Sequence, residues 1–138
     1  MNNDILEVLY SKEELHDLTV KIAKEIERDY KGKKPLLVCI LKGAVLFMAD
    51  LIREIDDEVE IDFMDVSSYG AGTSSSRDVR ILKDLDTSVK GRDVIIVEDI
   101  IDTGRTLVAL QDLFATRHAN SVKICSLLSK PSRREQEV

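Results

Sequence analysis

Two segments of this 138-residue chain are apolar at successive positions rather than at alternate ones. The first is PLLVCIL, residues 35–41, and the second is the start of DVIIVEDI, residues 93–100. A strand that is apolar on both faces is typical of a parallel sheet with helices on both sides. Helix-like sequence alternates with these strands along the chain. The pattern therefore predicts an α/β fold with a mainly parallel central sheet flanked by helices.

The helix-like segments begin with SKEELHDLTVKIAKEIERDY, residues 11–30. Ser11 and Glu14 have the spacing of a capping box, and apolar residues recur at helical intervals behind them. Residues 44–55 and 106–118 have helical composition as well. We therefore predict three helices, one in each of these segments.

Two further strands are predicted at VEIDFMDVSSY, residues 59–69, and SVKICSLLSK, residues 121–130. The segment GAGTSSSRD, residues 70–78, is too polar to pack and is predicted to be a flexible loop. VRILKDL follows that loop at residues 79–85.

Composition narrows the class of protein. The net charge is −6 and the basic residues are dispersed, which argues against nucleic acid as a partner. No apolar run is long enough to span a membrane, so no membrane partner is predicted. Cys39 and Cys125 lie inside apolar runs without metal-ligand spacing, which indicates structural thiols in a reducing compartment. We therefore expect a cytoplasmic protein.

The sequence VIIVEDIIDTGRT, residues 94–106, places acids after an aliphatic strand and a Thr-Gly turn before the next helix. Glu98 and Asp99 lie at the end of the strand, where carboxylates can accept hydrogen bonds from sugar hydroxyls or bind a hydrated Mg²⁺. Gly104 allows a tight turn, and the helix that follows offers its N-terminus to a phosphate. Asp102 is the best-placed candidate base.

Other unusual residues also fall after predicted strands, where ligands bind to sheets of this kind. They are Lys42-Gly43, Ser67-Ser68-Tyr69 and Lys130. The chain lacks both GxxxxGK[ST] and GxGxxG, so the loop is better suited to a phosphate monoester than to a nucleoside triphosphate. The sequence therefore predicts a phosphate-binding site at this edge.

The segment VIIVEDIIDTGRT resembles the phosphoribosyl-pyrophosphate signature of the purine phosphoribosyltransferases. LLVCILKGAVLFMADLI, EIDFMDVSSYG, ILKDLD and SLLSKP resemble the hypoxanthine-guanine branch, in the order and spacing of that branch. The resemblance implies a type I phosphoribosyltransferase fold. It also implies transfer of the 5-phosphoribosyl group from phosphoribosyl pyrophosphate to hypoxanthine or guanine, which yields IMP or GMP and pyrophosphate.

The resemblance also implies roles for single residues. Glu98 and Asp99 would hold the ribose hydroxyls and position Mg²⁺, and Asp102 would accept a proton from purine N7. Ser68 and Tyr69 would belong with the Gly/Ser loop to a flap that closes over the site. The loop that cradles the 5′-phosphate would consist of Asp102, Thr103, Gly104, Arg105 and Thr106.

The remaining roles concern pyrophosphate and the base. Lys42 and Gly43 match the pyrophosphate loop, and Arg134 is expected near the pyrophosphate. Lys130 would donate to the exocyclic O6 of a 6-oxopurine. A homo-oligomer, either a dimer or a tetramer, is expected because chains of this family commonly pair.

The resemblance also implies a domain organisation, and it leaves an alternative function open. Residues 1–138 are expected to form one phosphoribosyltransferase-like domain that lacks the usual C-terminal purine-binding segment. The alternative is a non-catalytic or regulatory protein that uses the same fold to bind nucleotides. A two-component receiver would use Asp65 and Lys130, but that hypothesis leaves the sequence DTGRT unexplained.

Overall fold

The computed structural model describes residues 11–68, 79–101 and 104–129. Within them a five-stranded sheet has the order β3-β2-β1-β4-β5. Strand β1 pairs in parallel with both β2 and β4, β4 pairs in parallel with β5, and β3 is antiparallel to β2. The bounds of the strands are β1 Leu36–Leu41, β2 Glu60–Ser68, β3 Val79–Lys83, β4 Asp93–Ile101 and β5 Ser121–Ser129. The predicted α/β fold with a mainly parallel sheet is confirmed.

Three helices in the described residues cover the sheet: α1 Lys12–Asp29, α2 Val45–Glu54 and α3 Arg105–Thr116. Helices α1 and α2 pack with Leu37, Cys39 and other strand residues into one apolar cluster. Helix α3 packs into a second cluster with the strand neighbours of those residues. The two clusters lie on opposite faces of the sheet, because successive side chains of a strand point to opposite faces.

The strands that are apolar throughout lie at the centre of the sheet. Residues 36–40 of β1 and 94–97 of β4 are all buried. Helix α1 begins with the predicted capping box at Ser11 and Glu14. None of the helices in the described ranges is long and apolar enough to cross a membrane. Cys39 is buried, Cys125 is half-buried, and both are free thiols.

Candidate active site

Four parallel strands bring the predicted site residues to one edge of the sheet. Because β1, β2, β4 and β5 run in the same direction, their carboxyl ends meet at that edge. Lys42 and Gly43 follow β1, Ser68 ends β2, and Glu98 and Asp99 lie in the last residues of β4. Strand β4 extends one residue further than the sequence predicts. Both acids belong to the strand, as predicted, and α3 begins at Arg105.

Glu98 is partly buried and next to another carboxylate. Burial, together with a hydrogen bond and the charge of Asp99, raises the pKa of Glu98 to about 8. Its Oε1 accepts a hydrogen bond from the Asp99 amide at 3.1 Å. A hydrogen-bond donor or a cation that a ligand brings would stabilise the charged form of this carboxyl group and lower its pKa.

Asp99 lies close to the loop after β1. Its Oδ1 accepts a hydrogen bond from the Ile100 amide at 2.8 Å. A Cβ built on Gly43 would lie 3.4 Å from Oδ2 and 3.5 Å from Oδ1 of Asp99. The loop of Lys42-Gly43 and the acids of β4, which are distant in sequence, therefore form one site.

Two helix N-termini at this edge have no capping side chain. Helix α2 follows Ala44, and α3 follows Gly104, which adopts a left-handed conformation at φ 87°. Neither helix has an acidic residue in its first turn. A helix N-terminus without an acid attracts anions through its amides and its dipole. The two helix N-termini at this edge are therefore candidates for binding a phosphate.

A cavity of about 510 Å³ between α1 and α2 opens onto this site and contains Gly43 and Asp99 in its lining. Lys12, His16 and Arg53 also line it. The sequence does not single out these three side chains, because each occupies an ordinary polar position of a helix. The packing of α1 beside α2 places Lys12 and His16 in the lining of the same cavity as Asp99.

A larger cavity of about 690 Å³ lies elsewhere. Its lining includes Asp93 and Ser121, which begin β4 and β5 at the opposite, amino end of the sheet. None of the predicted site residues lines it.

Glu98 and Asp99 are two adjacent carboxyl groups that could bind a divalent cation. The described residues contain no group of three or more His, Cys, Asp or Glu side chains that could enclose a metal. Two carboxylates fit Mg²⁺, which usually keeps several waters and binds one or two carboxylates together with substrate phosphates. The donor set therefore suits a cation that arrives with a phosphorylated substrate.

Several predicted residues lie outside the described ranges. They are Tyr69, the flap at 70–78, Asp102, Thr103, Lys130 and Arg134. Of Ser68 the structure describes the backbone, at the end of β2. Arg105 and Thr106 begin α3 directly after Gly104, as the predicted phosphate loop requires.

Comparison with known proteins agrees with this geometry. The family profile of the phosphoribosyl transferase domain matches residues 8–138. The chain belongs to the phosphoribosyltransferase family. A hypoxanthine-guanine phosphoribosyltransferase of Streptococcus thermophilus is 54% identical over 138 residues, which cover 100% of this chain and 77% of that protein. One of Streptococcus agalactiae is 57% identical over 134 residues, which cover 97% of this chain and 74% of the relative.

Solved phosphoribosyltransferase structures place the chain on the same branch. A hypoxanthine phosphoribosyltransferase of Staphylococcus aureus superposes with a TM-score of 0.89 at 44% identity and covers 94% of this chain and 71% of its own. A hypoxanthine-guanine phosphoribosyltransferase of Bacillus anthracis has a TM-score of 0.87 at 43% identity, with coverage of 94% and 76%. The fold is that of the type I phosphoribosyltransferases, and the regulatory alternative is not favoured.

Proposed function

We propose that this phosphoribosyltransferase transfers the 5-phosphoribosyl group of phosphoribosyl pyrophosphate to hypoxanthine or guanine, in purine salvage. The observation that carries the proposal is that Glu98 and Asp99 lie at the sheet edge where α2 and α3 begin, with Asp99 beside the Lys42-Gly43 loop. A donor with a phosphate at each end of a ribose requires these groups at one site. The names of the relatives support the choice of a 6-oxopurine as the acceptor.

The N-terminus of α3 is the proposed site of the 5′-phosphate. Gly104 adopts a positive φ, so the chain can turn directly from β4 into the helix. Amides of the first turn and the hydroxyls of Thr103 and Thr106 would donate to phosphate oxygens. Arg105 adds a positive charge to the same turn.

Glu98 and Asp99 are proposed to accept hydrogen bonds from the ribose hydroxyls and to hold Mg²⁺. Mg²⁺, when bound, neutralises charge on the pyrophosphate. The carboxylates also lie near the anomeric carbon, where positive charge develops as the bond to pyrophosphate breaks. Fixed negative charge near that carbon lowers the barrier because it is already oriented before the reaction begins.

The pyrophosphate is proposed to lie at Lys42, Gly43 and the first turn of α2. Ala44 supplies no capping side chain, and the Val45 amide donates to the Lys42 carbonyl at 3.2 Å, so the amides of Leu46 and Phe47 are the candidates for contact with the anion. Lys42 adds a cation. Arg134 is a further candidate for the pyrophosphate side, and it remains a proposal that rests on the family resemblance.

The base half of the site rests on the same resemblance. Asp102 is proposed to accept the proton from purine N7, and Lys130 to donate to O6. Ser68 and Tyr69 are proposed to belong to a flap that excludes water during transfer.

Two proposals concern the protein as a whole. We propose that it is cytoplasmic, which the two free thiols support. We also propose a homo-oligomer, either a dimer or a tetramer. In α2, Val45 is 39% exposed and Leu46 is 79% exposed, and apolar side chains in such positions often become buried when subunits associate. Sedimentation velocity at several concentrations would test the oligomeric state.

The function is tested by titration of the chain with phosphoribosyl pyrophosphate and Mg²⁺ in a calorimeter, followed by addition of hypoxanthine or guanine and an assay for pyrophosphate. We expect binding of the donor and release of pyrophosphate. Donor binding without turnover would favour a nucleotide-binding protein without catalysis. A folded chain that binds no donor would contradict the assignment of the site.

Two variants separate binding from chemistry. Asp102→Asn is expected to reduce turnover far more than donor affinity, because it removes the proton acceptor and keeps the loop. Gly104→Val is expected to abolish donor binding, because a β-branched residue does not tolerate φ 87°. Equal losses of turnover and donor affinity in Asp102→Asn would contradict its role as the base.

A further inference from the structure

The glycine of the pyrophosphate loop is not required by backbone conformation. Among the described glycines, Gly32, Gly91 and Gly104 have positive φ values, and Gly43 does not. An alanine could therefore adopt the backbone of residue 43 without strain. The reason for glycine at this position must lie in the space around it.

The side chain nearest to that space is Asp99. The three nearest heavy atoms to a Cβ at position 43 are Oδ2, Oδ1 and Cγ of Asp99, at 3.4, 3.5 and 3.7 Å. These distances are ordinary van der Waals contacts, so the Cβ fits without displacing the carboxylate. It would, however, lie against both carboxylate oxygens of Asp99. In contrast, a Cβ at Gly32 or Gly91 meets nothing within 4 Å.

We propose that Gly43 is a positioning residue that acts by leaving the Asp99 carboxylate uncovered for the ribose hydroxyls and the hydrated cation. A hydroxyl or a water that donates to this carboxylate needs its oxygen within about 3 Å of Oδ1 or Oδ2. A methyl group in van der Waals contact with both oxygens occupies part of that volume. The inference rests on the proposed function, since it assigns Asp99 to the ribose and Mg²⁺.

This role differs from a direct contact between the loop backbone and pyrophosphate. If Gly43 serves only that contact, a methyl group there harms ligands that carry pyrophosphate and no others. If it acts through Asp99, the methyl group also harms a ligand that has the ribose and the 5′-phosphate alone. Ribose 5-phosphate is such a ligand, and it needs no purine pocket.

The test compares Gly43→Ala with the unchanged chain by calorimetric titration of phosphoribosyl pyrophosphate and of ribose 5-phosphate, each with Mg²⁺. We expect the Kd of both ligands to rise about tenfold or more, the size typical of disturbed support for a metal-binding carboxylate. A rise for phosphoribosyl pyrophosphate alone, or for neither ligand, would overturn the proposal. If the unchanged chain binds neither ligand, the proposed function itself fails, and the two failures are thereby distinguished.

A second measurement combines Gly43→Ala with Asp99→Ala. Without the Asp99 carboxylate, the methyl group at position 43 has nothing to cover. The double variant should therefore bind ribose 5-phosphate about as weakly as Asp99→Ala alone, because residues that act through one contact are not additive. Losses that add would indicate that the two residues act separately and would contradict the proposal.

Gly91→Ala provides the matched control. Gly91 lies before β4, at the end of the sheet away from the site, and has φ 72°. An alanine there is strained, so we expect Tm to fall by roughly 3–6 °C with both Kd values unchanged. Gly43→Ala should show the reverse, with Tm nearly unchanged and both Kd values raised. A large loss of Tm in Gly43→Ala would show that the position is structural and would overturn the inference.

Discussion

The two ends of the central sheet use polar side chains in opposite ways. At the amino end, the Arg92 guanidinium pairs with Glu60 at 2.8 Å and donates to the Lys34 carbonyl at 3.3 Å. Asp93 accepts hydrogen bonds from Asn120 at 2.8 Å and from the Ser121 hydroxyl at 2.7 Å. These polar groups are satisfied by partners within the protein.

The segment after β3 is also held by hydrogen bonds to a side chain of the protein. Asp62, which is 5% exposed, accepts hydrogen bonds from the amides of Phe63, Asp86 and Thr87 at 2.7, 3.0 and 2.8 Å. The Asp62 carboxylate therefore holds the loop after β3 against the first part of β2. A buried charge is tolerated here because hydrogen-bond donors surround it.

The carboxyl end differs in that it places two acids next to each other, and each accepts a hydrogen bond from the backbone amide of the next residue. Glu98 and Asp99 are adjacent acids, and burial together with Asp99 raises the pKa of Glu98 to about 8. The helices that begin beside them have neither capping side chains nor acids in the first turn. The polar groups described at the amino end are therefore held by partners within the protein, whereas the carboxyl end carries the adjacent acids and helix N-termini to which we assign the charged ligand.

Asp99→Asn should give the largest effect. The substitution keeps the shape of the side chain and removes its charge, so kcat/KM should fall by about 10²- to 10³-fold, the range for loss of one preorganised electrostatic group. Tm should stay nearly the same, because asparagine keeps an oxygen that can accept the hydrogen bond from the Ile100 amide. Steady-state kinetics and thermal unfolding test both halves. A clear loss of Tm would show instead that Asp99 stabilises the fold, as the polar residues at the amino end of the sheet do.

Asp62→Ala should show the inverse pattern. Three backbone amides donate to the Asp62 carboxylate, and the substitution removes this acceptor from a site that is almost fully buried. We expect the free energy of unfolding to fall by about 2–4 kcal/mol, measured by urea denaturation. The kcat/KM of the folded enzyme should remain within about twofold of the unchanged chain, since Asp62 is far from the catalytic edge along β2. A large loss of kcat/KM with normal stability would contradict the comparison.

The sequence was sufficient to predict the α/β fold and to suggest which sheet edge holds the candidate site, but it did not indicate the hydrogen bonds of Asp62 to the loop after β3. The central strands are predictable because their side chains are apolar on both faces, and the site residues follow strands that run in parallel. Asp62 shares a strand face with the buried Met64, so the alternation of side chains already places it inside. Its partners Asp86 and Thr87 are 24 and 25 residues away, and no local pattern indicates them.

The proximity of Gly43 and Asp99 is likewise not indicated by any local sequence pattern. Each residue lies in a recognisable motif, but the register of β1 with β4 brings the two motifs together. Cys39 of β1 pairs with Val97 of β4, and from there each chain continues to the edge. Local sequence predicts elements and candidate residues, whereas distances between motifs depend on the order and register of the strands.

Acid should weaken the amino end through Asp62. Burial raises the pKa of Asp62, but its hydrogen bonds from Phe63, Thr87 and Asp86 outweigh burial and hold the pKa below its ordinary value. The unfolded chain therefore takes up a proton at this residue first, near pH 4, and stability falls as the pH decreases further. Urea unfolding between about pH 6 and 2.5 should show a shallower acid decline in Asp62→Asn than in the unchanged chain. Parallel declines would mean that Asp62 contributes nothing to acid sensitivity.

Ser11→Ala should have the smallest effect and tests the comparison at a third helix. Helix α1 begins near the catalytic edge, since Lys12 lines the same cavity as Asp99. Yet its N-terminus is closed by the protein itself, because the Ser11 hydroxyl accepts from the Glu14 amide at 3.1 Å and Glu14 accepts from the Ser11 amide at 2.8 Å.

Loss of the Ser11 hydroxyl should lower the free energy of unfolding by about 1 kcal/mol. The donor Kd should not change, because the acids of the first turn, Glu13 and Glu14, repel anions from α1. Urea denaturation and calorimetric titration with phosphoribosyl pyrophosphate test the two statements. Weaker donor binding in Ser11→Ala would mean that α1 supports the anion site too, and capping would then not distinguish structural from ligand-binding helix N-termini.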